Sequence, residues 1–260
     1  MASKDGTAIA FDRIGEGPPV VVVGGALSTR SAAEPLAGLL APSFTVYAYD
    51  RRGRGDSGDT PPYDVEREVE DVQALVEDAG GSAFAFGHSS GGVLALEAAE
   101  RTLGITKLSL YEPPFIIDDS RRALPNDDIE RITELASTGR RGEAIEHFMT
   151  TAVLVPAEAV ASMRDSPSWL SMEAVAHTLP YDMRVMGDNL AGTPLPSDRW
   201  ASVTIPTLVI DGGASPPWLG NAAQALVDVL PDARRRTIEG RTHDVDPGLL
   251  APVLEEFFAG

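Results

Sequence analysis

Apolar and polar residues alternate weakly over Thr7 to Phe11, and the cluster Gly15-Glu16-Gly17-Pro18-Pro19 that follows reads as a strand entering a turn. Val20 to Val23 is a continuous β-branched run, which predicts a strand buried on both faces of a parallel sheet. It stops at Gly24-Gly25. Helical spacing over Ala32 to Leu40 and an apolar run from Phe44 to Tyr49 then begin a strand–helix–strand rhythm. Val65, Val69, Val72 and Val76 fall on one helical face with Glu66, Glu70 and Glu77 off it, as expected of a helix packed on a sheet. Ala83 to Phe86 predicts the next strand, Val93 to Arg101 a helix rich in small residues, and Lys107 to Tyr111 a strand ending in Glu112-Pro113-Pro114.

From Asp118 to about Arg199 the strand signal vanishes, and the chain reads as short helices broken by Gly139, Gly142, Pro156, Pro167, Pro180 and Gly187. Strand, helix and strand then resume at Thr207–Ile210, Ala222–Leu230 and Arg234–Ile238, and Leu249 to Phe258 closes the chain as a helix. The pattern predicts an α/β fold with a mostly parallel central sheet flanked by helices. Its body is expected over 1–117 and 200–260, with 118–199 inserted as a helical cap or lid. No repeat, low-complexity tract or linker interrupts it.

Composition narrows the partners. A net charge of −18 over 260 residues argues against nucleic acid and anionic membrane, both of which require basic patches. The absence of cysteine removes disulfides, thiolate metal sites and thiol nucleophiles. The first residues lack an apolar h-region, and Val20–Val23 is too short to span a bilayer, so a cytoplasmic location is expected. Oligomeric state is not legible.

Chemistry concentrates at Gly87-His88-Ser89-Ser90-Gly91. Strand, glycine, serine, glycine and helix in that order make a sharp turn that exposes the serine at a helix N-terminus, where partial positive charge favours a developing oxyanion. A serine nucleophile needs a base, and the candidates are His88, His147, His177 and His243. His243, in the loop between the last strand and the last helix, shares the carboxyl-end crevice with Ser89 and is the expected base. His88, adjacent in sequence to Ser89, points away from it, and His147 and His177 lie in the helical insert. Gly53, Gly55 and Gly58 match a dinucleotide fingerprint, but Pro61-Pro62 follow where a helix would have to start, so no cofactor is expected. Glu143, Glu146 and His147 lack the second histidine of a helical zinc motif, so no metal is expected either.

The serine elbow, the arginine-glycine turn from Asp50 to Ser57, the helical insert and the late His243, in that order, resemble the α/β-hydrolase family over essentially the whole chain. The resemblance implies a nucleophile at Ser89, a base at His243 and an oxyanion hole from the backbone N–H groups of Ala26 and Ser90. Two features depart from the family's pattern. Gly24-Gly25-Ala26 stands where a histidine-glycine pair is frequent, and Ser215 occupies the usual place of the triad acid. Two carboxylates offer themselves instead: Glu112, at the end of what the family counts as strand six, and Asp211, whose direction is set by strand parity. Glu112 is favoured. The implied activity is cleavage of a small, apolar carboxylic ester or lactone through an acyl-enzyme, without cofactor. Carbon–carbon bond hydrolysis and perhydrolysis would use the same Ser-His pair, and a non-hydrolytic binding scaffold is the rival class. Phe148, Met149, Met163, Trp169, Leu170, Met172, Tyr181, Met183 and Met186 of the insert either line the pocket or pack the lid onto the body.

Overall fold

The computed structural model describes residues 1–101 and 104–260. Among the described residues, a seven-stranded sheet is built from β1 (Phe11–Ile14), β2 (Pro19–Val23), β3 (Thr45–Tyr49), β4 (Ala83–His88), β5 (Ile105–Tyr111), β6 (Thr207–Gly212) and β7 (Ala233–Ile238). Their spatial order is β1-β3-β2-β4-β5-β6-β7. Only β1 is antiparallel, pairing with β3. The strand before Glu112, sixth in the family's count, is thus the fifth of this chain.

Helices α1 (Glu34–Leu40), α2 (Val65–Asp78), α3 (Ser90–Arg101), α9 (Pro217–Val229) and α10 (Pro247–Ala259) flank the sheet. Because successive strand residues face opposite ways, the valine run of β2 serves both faces. Val20 and Val22 pack with Leu36, Leu40, Leu254 and Phe257. Val21 and Val23 pack with Val69, Val72 and Leu94. Each such burial contributes about 1.5–3 kcal/mol, which is why this run is apolar throughout.

Between β5 and β6 lie α4 (Asn126–Ser137), α5 (Arg141–His147), a π-helical turn over Phe148–Ala152, α6 (Ala157–Met163), α7 (Pro167–Val175) and α8 (Leu179–Met186). Their apolar residues join the body's: Ile132, Leu135, Ile145, Leu179 and Met183 belong to one cluster with Val93 and Leu94 of α3.

Three expected elements are displaced. The first strand lies at Phe11–Ile14 rather than Thr7–Phe11, because Ala8 and Ala10 bond to the Asp50–Gly58 loop (Gly58 N–H to Ala8 carbonyl, Asp50 N–H to Ala10 carbonyl) instead of joining the sheet. Helix α3 starts at Ser90, with Gly91 and Gly92 inside its first turn. Helix α9 starts at Pro217, since proline is tolerated in a first turn whose N–H groups lack intrahelical partners.

The register brings the carboxyl ends of four strands level. Val23 of β2 pairs with Gly87 of β4, His88 with Tyr111 of β5, and Tyr111 with Ile210 of β6. Gly24, Ser89 and Glu112 therefore leave the sheet side by side, while Asp211 beside them stays in β6, paired with Thr237 of β7.

Candidate active site

Ser89 sits between β4 and α3 with φ at +57°, in the left-handed region that serine seldom adopts. The glycines on either side explain how the chain reaches it. A Cβ on Gly87 would lie 2.5 Å from the Gly91 carbonyl oxygen, and one on Gly91 would lie 2.3 Å from that of Val23. Only glycine lets α3 start this close to β4 and β2. The Ser89 N–H donates to the Tyr111 carbonyl at 2.9 Å, which locks the turn onto β5.

Glu112 is the first residue beyond β5. It has φ at +44°, is 0% exposed, and its N–H continues the sheet by donating to the Ile210 carbonyl at 3.0 Å. Its Oε1 accepts from the Gly212 N–H and its Oε2 from Nδ1 of His243, both at 2.8 Å. A carboxylate only accepts, so Nδ1 carries the proton and Nε2 keeps its lone pair. The imidazole is thereby held in the tautomer able to take a proton from a hydroxyl.

Asp211 stands elsewhere. Its carboxylate takes a fork of two 2.8 Å bonds from Arg235 and one of 3.0 Å from the Thr237 hydroxyl, both on β7. Strand parity turns it away from His243. Ser215 buries a hydroxyl that has no hydrogen-bond partner among the described residues.

Two rings brace the His243 loop. His88 Nε2 donates to the His243 carbonyl at 3.0 Å, and the Tyr111 hydroxyl to the Thr242 carbonyl at 2.7 Å. Burial first, and the neighbouring His243 second, pull the His88 imidazole down to about 4, so it stands neutral beside the site. Adjacency to Ser89 suggested only that His88 points away; its hold on the loop 155 residues later needed the fold. Asp246 caps α10 through the Gly248 N–H and so ends that loop. His147 pairs with Asp128 at 2.9 Å within the helical segment, and His177 occupies the turn before α8.

Ser90 and Ala26 flank the serine. As the first residue of α3, Ser90 has an N–H without an intrahelical acceptor. Ala26 lines the cavities on both sides of Ser89. The Ser90 hydroxyl donates to Asp182 of α8 at 2.8 Å, entering a buried network that the sequence did not disclose. Asp182 also accepts from Arg51 and Arg54, both at 2.7 Å, while Arg51 makes a two-bond fork to Glu68. Arg54 reaches the Gly25 carbonyl at 2.6 Å. Burial alone would raise the Asp182 carboxyl, but Arg54 and Arg51 outweigh it and hold it below its usual range. The arginine spacing over 51–54 was the visible signal, yet its carboxylate partners lie up to 131 residues away.

The serine lies where two cavities meet. One, of about 490 Å³, is lined by Leu36, Phe148, Met149 and Met172; the other, of about 130 Å³, by Met183, Met186, Trp218 and Arg121. Of the insert's apolar residues, Phe148 faces both, Trp169 is buried in the core, Leu170 is exposed, and Tyr181 stacks on Tyr63 at 3.9 Å. Among the described residues no group of three or more His, Asp or Glu is placed to hold a metal ion, and no helix is long and apolar enough to cross a membrane.

Known proteins carry the same architecture. The model of the alpha/beta hydrolase family matches residues 20–253. An alpha/beta hydrolase from Sphaerobacter thermophilus is 58% identical, with 99% of each chain covered and a TM-score of 0.93. A hydrolase from Pseudomonas aeruginosa aligns at 21% identity over 100% of this chain and 97% of its own, TM-score 0.74. An esterase from Exiguobacterium antarcticum aligns at 18% identity over 100% of both, TM-score 0.73. These last two share the fold; the family match and the Sphaerobacter relative establish that the chain belongs to the alpha/beta hydrolase family.

Proposed function

We propose that the protein is a serine hydrolase of carboxylic esters or lactones. One observation carries the reading: a left-handed serine on a strand–helix elbow shares a cleft with a histidine whose Nδ1–H is committed to a buried carboxylate. Ser89 Oγ attacks the carbonyl carbon while His243 Nε2 takes its proton. The Ala26 and Ser90 N–H groups receive the oxyanion, at roughly 3 kcal/mol per donor. His243 then returns the proton to the leaving alcohol, and water, activated by the same nitrogen, releases the acid. Glu112 stabilises the imidazolium that forms in each half. Segment 118–199 serves as a cap, a role supported by Phe148, Met149 and Met172 on the cleft wall. An aspartate in place of Ser89 would favour epoxide or haloalkane chemistry; serine favours acyl transfer.

The test is turnover of an aryl-ester and lactone panel together with fluorophosphonate labelling. Wild type should be labelled at Ser89 and Ser89→Ala should be neither labelled nor active. An unlabelled, inactive wild type would instead support a binding scaffold.

A further inference from the structure

Arg121 differs from every other deeply buried arginine in this chain. Arg51, Arg52 and Arg54 each meet at least one carboxylate at 2.7 Å. Arg121, 7% exposed, meets none among the described residues. Its sole hydrogen bond there runs from Nη2 to the Ala152 carbonyl, and its Nε is buried without a partner. The guanidinium lies over the Trp218 indole, Cζ 4.2 Å from the ring centroid, a placement that holds its face and leaves edge N–H groups free. It lines the smaller cavity, whose wall also includes Ser89 and His243. The acidic group on the same wall, Asp182, is already matched by Arg51 and Arg54. Asp118, three residues before Arg121, is taken by Ser120 and Asn221.

A chain with 39 acidic residues against 21 basic ones thus leaves, among the described residues, one buried arginine without a carboxylate, in the cavity that reaches Ser89. Burial pulls the guanidinium down to about 10, and it remains charged at neutral pH. A buried charge is normally paired, and the partner missing here can come with the ligand.

We propose that Arg121 binds a carboxylate on the substrate, so that the ester or lactone cleaved at Ser89 carries an acidic arm in the smaller cavity and an apolar arm in the larger. This rests on the serine-hydrolase reading and replaces a wholly apolar substrate with a half-ester. The planar fork of a guanidinium fits a planar carboxylate in two parallel bonds. A cavity of about 130 Å³ suits a short acid arm. The net charge of −18 repels anions at long range, so a preference for an acidic substrate requires a local cation such as this one.

The experiment compares matched pairs: phenyl hemiesters of succinic, glutaric and adipic acid against their methyl-capped forms, and 4-acetoxybenzoate against its methyl ester, with uncatalysed rates subtracted. In at least one pair, kcat/KM should favour the free carboxylate by about tenfold or more; Arg121→Met should bring that ratio near one and Arg121→Lys should keep part of it. Equal or better turnover of the capped partner in every pair, or a ratio unmoved in Arg121→Met, overturns the proposal. Glutarate binding to Ser89→Ala, followed by calorimetry, reads the site without catalysis and is expected to exceed that of dimethyl glutarate. Fluorophosphonate labelling of Ser89 separates the two failures. A labelled enzyme that prefers capped esters refutes the acid arm alone, whereas an unlabelled one that still binds glutarate refutes the hydrolase reading alone. Should Arg121→Met not fold, the wild-type ratios and the glutarate comparison decide the matter.

Discussion

Asp182→Asn removes one charge from a site where four are balanced. Arg51 and Arg54 face Glu68 and Asp182, and all four side chains are at most 2% exposed. Asparagine keeps the volume but leaves the cluster at +1, and it weakens two charge-assisted bonds of 2.7 Å and the 2.8 Å bond from Ser90. Breaking one partner of a buried ion pair costs about 3–5 kcal/mol, mostly because the remaining charge stays desolvated. In a chain of this size that is a fall in Tm of about 10 °C. Asp56→Asn is the control, since Asp56 is 75% exposed and, among the described residues, pairs only with Arg30; its loss should be about 0.5 kcal/mol or less. Thermal and urea unfolding followed by circular dichroism measure both. A loss below about 1 kcal/mol for Asp182→Asn would refute the claim that the network is dry and charge-balanced. Because Asp182 holds Ser90, and Arg54 holds Gly25, any residual ester turnover should fall as well.

Glu112→Gln keeps the acceptor for the Gly212 N–H but turns its amide toward Nδ1 of His243, which must then accept. The imidazole is driven into the wrong tautomer, and kcat should drop by about 10²–10⁴ with little change in KM; a drop under about threefold would place the acid elsewhere. His88, lowered from 6.5 to about 4 in the folded protein, binds its proton more readily when unfolded, so between those values unfolding takes up a proton. Its contribution is complete above about pH 7 and is lost as pH falls toward 4, by roughly 3 kcal/mol in all. Stability curves of wild type and His88→Gln, measured from pH 4 to 8, should differ by that slope; parallel curves would refute it.

The serine elbow was legible because its constraint is local. Gly87 and Gly91 are needed wherever a helix starts this close to a strand, and that need is written within five residues. The parallel sheet was legible for a similar reason: a valine run such as Val20–Val23 suits only a strand covered on both faces. Element ends were less so, since Ala8 and Ala10 spend their hydrogen bonds on a loop some 40–50 residues later. The candidate acid narrows to Glu112 and Asp211 from the sequence, with Glu112 favoured, but which of them meets His243 depends on the direction each side chain takes at the carboxyl edge of the sheet. A backbone φ of +44° aims Glu112 across to His243, while parity and Arg235 hold the Asp211 carboxylate against β7. The roles of Asp182, His88 and Arg121 rest on contacts or on a missing contact across the folded chain. Sequence alone determined the residues whose demands are satisfied by their neighbours in the chain; tertiary structure decided the partners of the buried arginines, because a desolvated ion takes whichever partner the fold brings within reach.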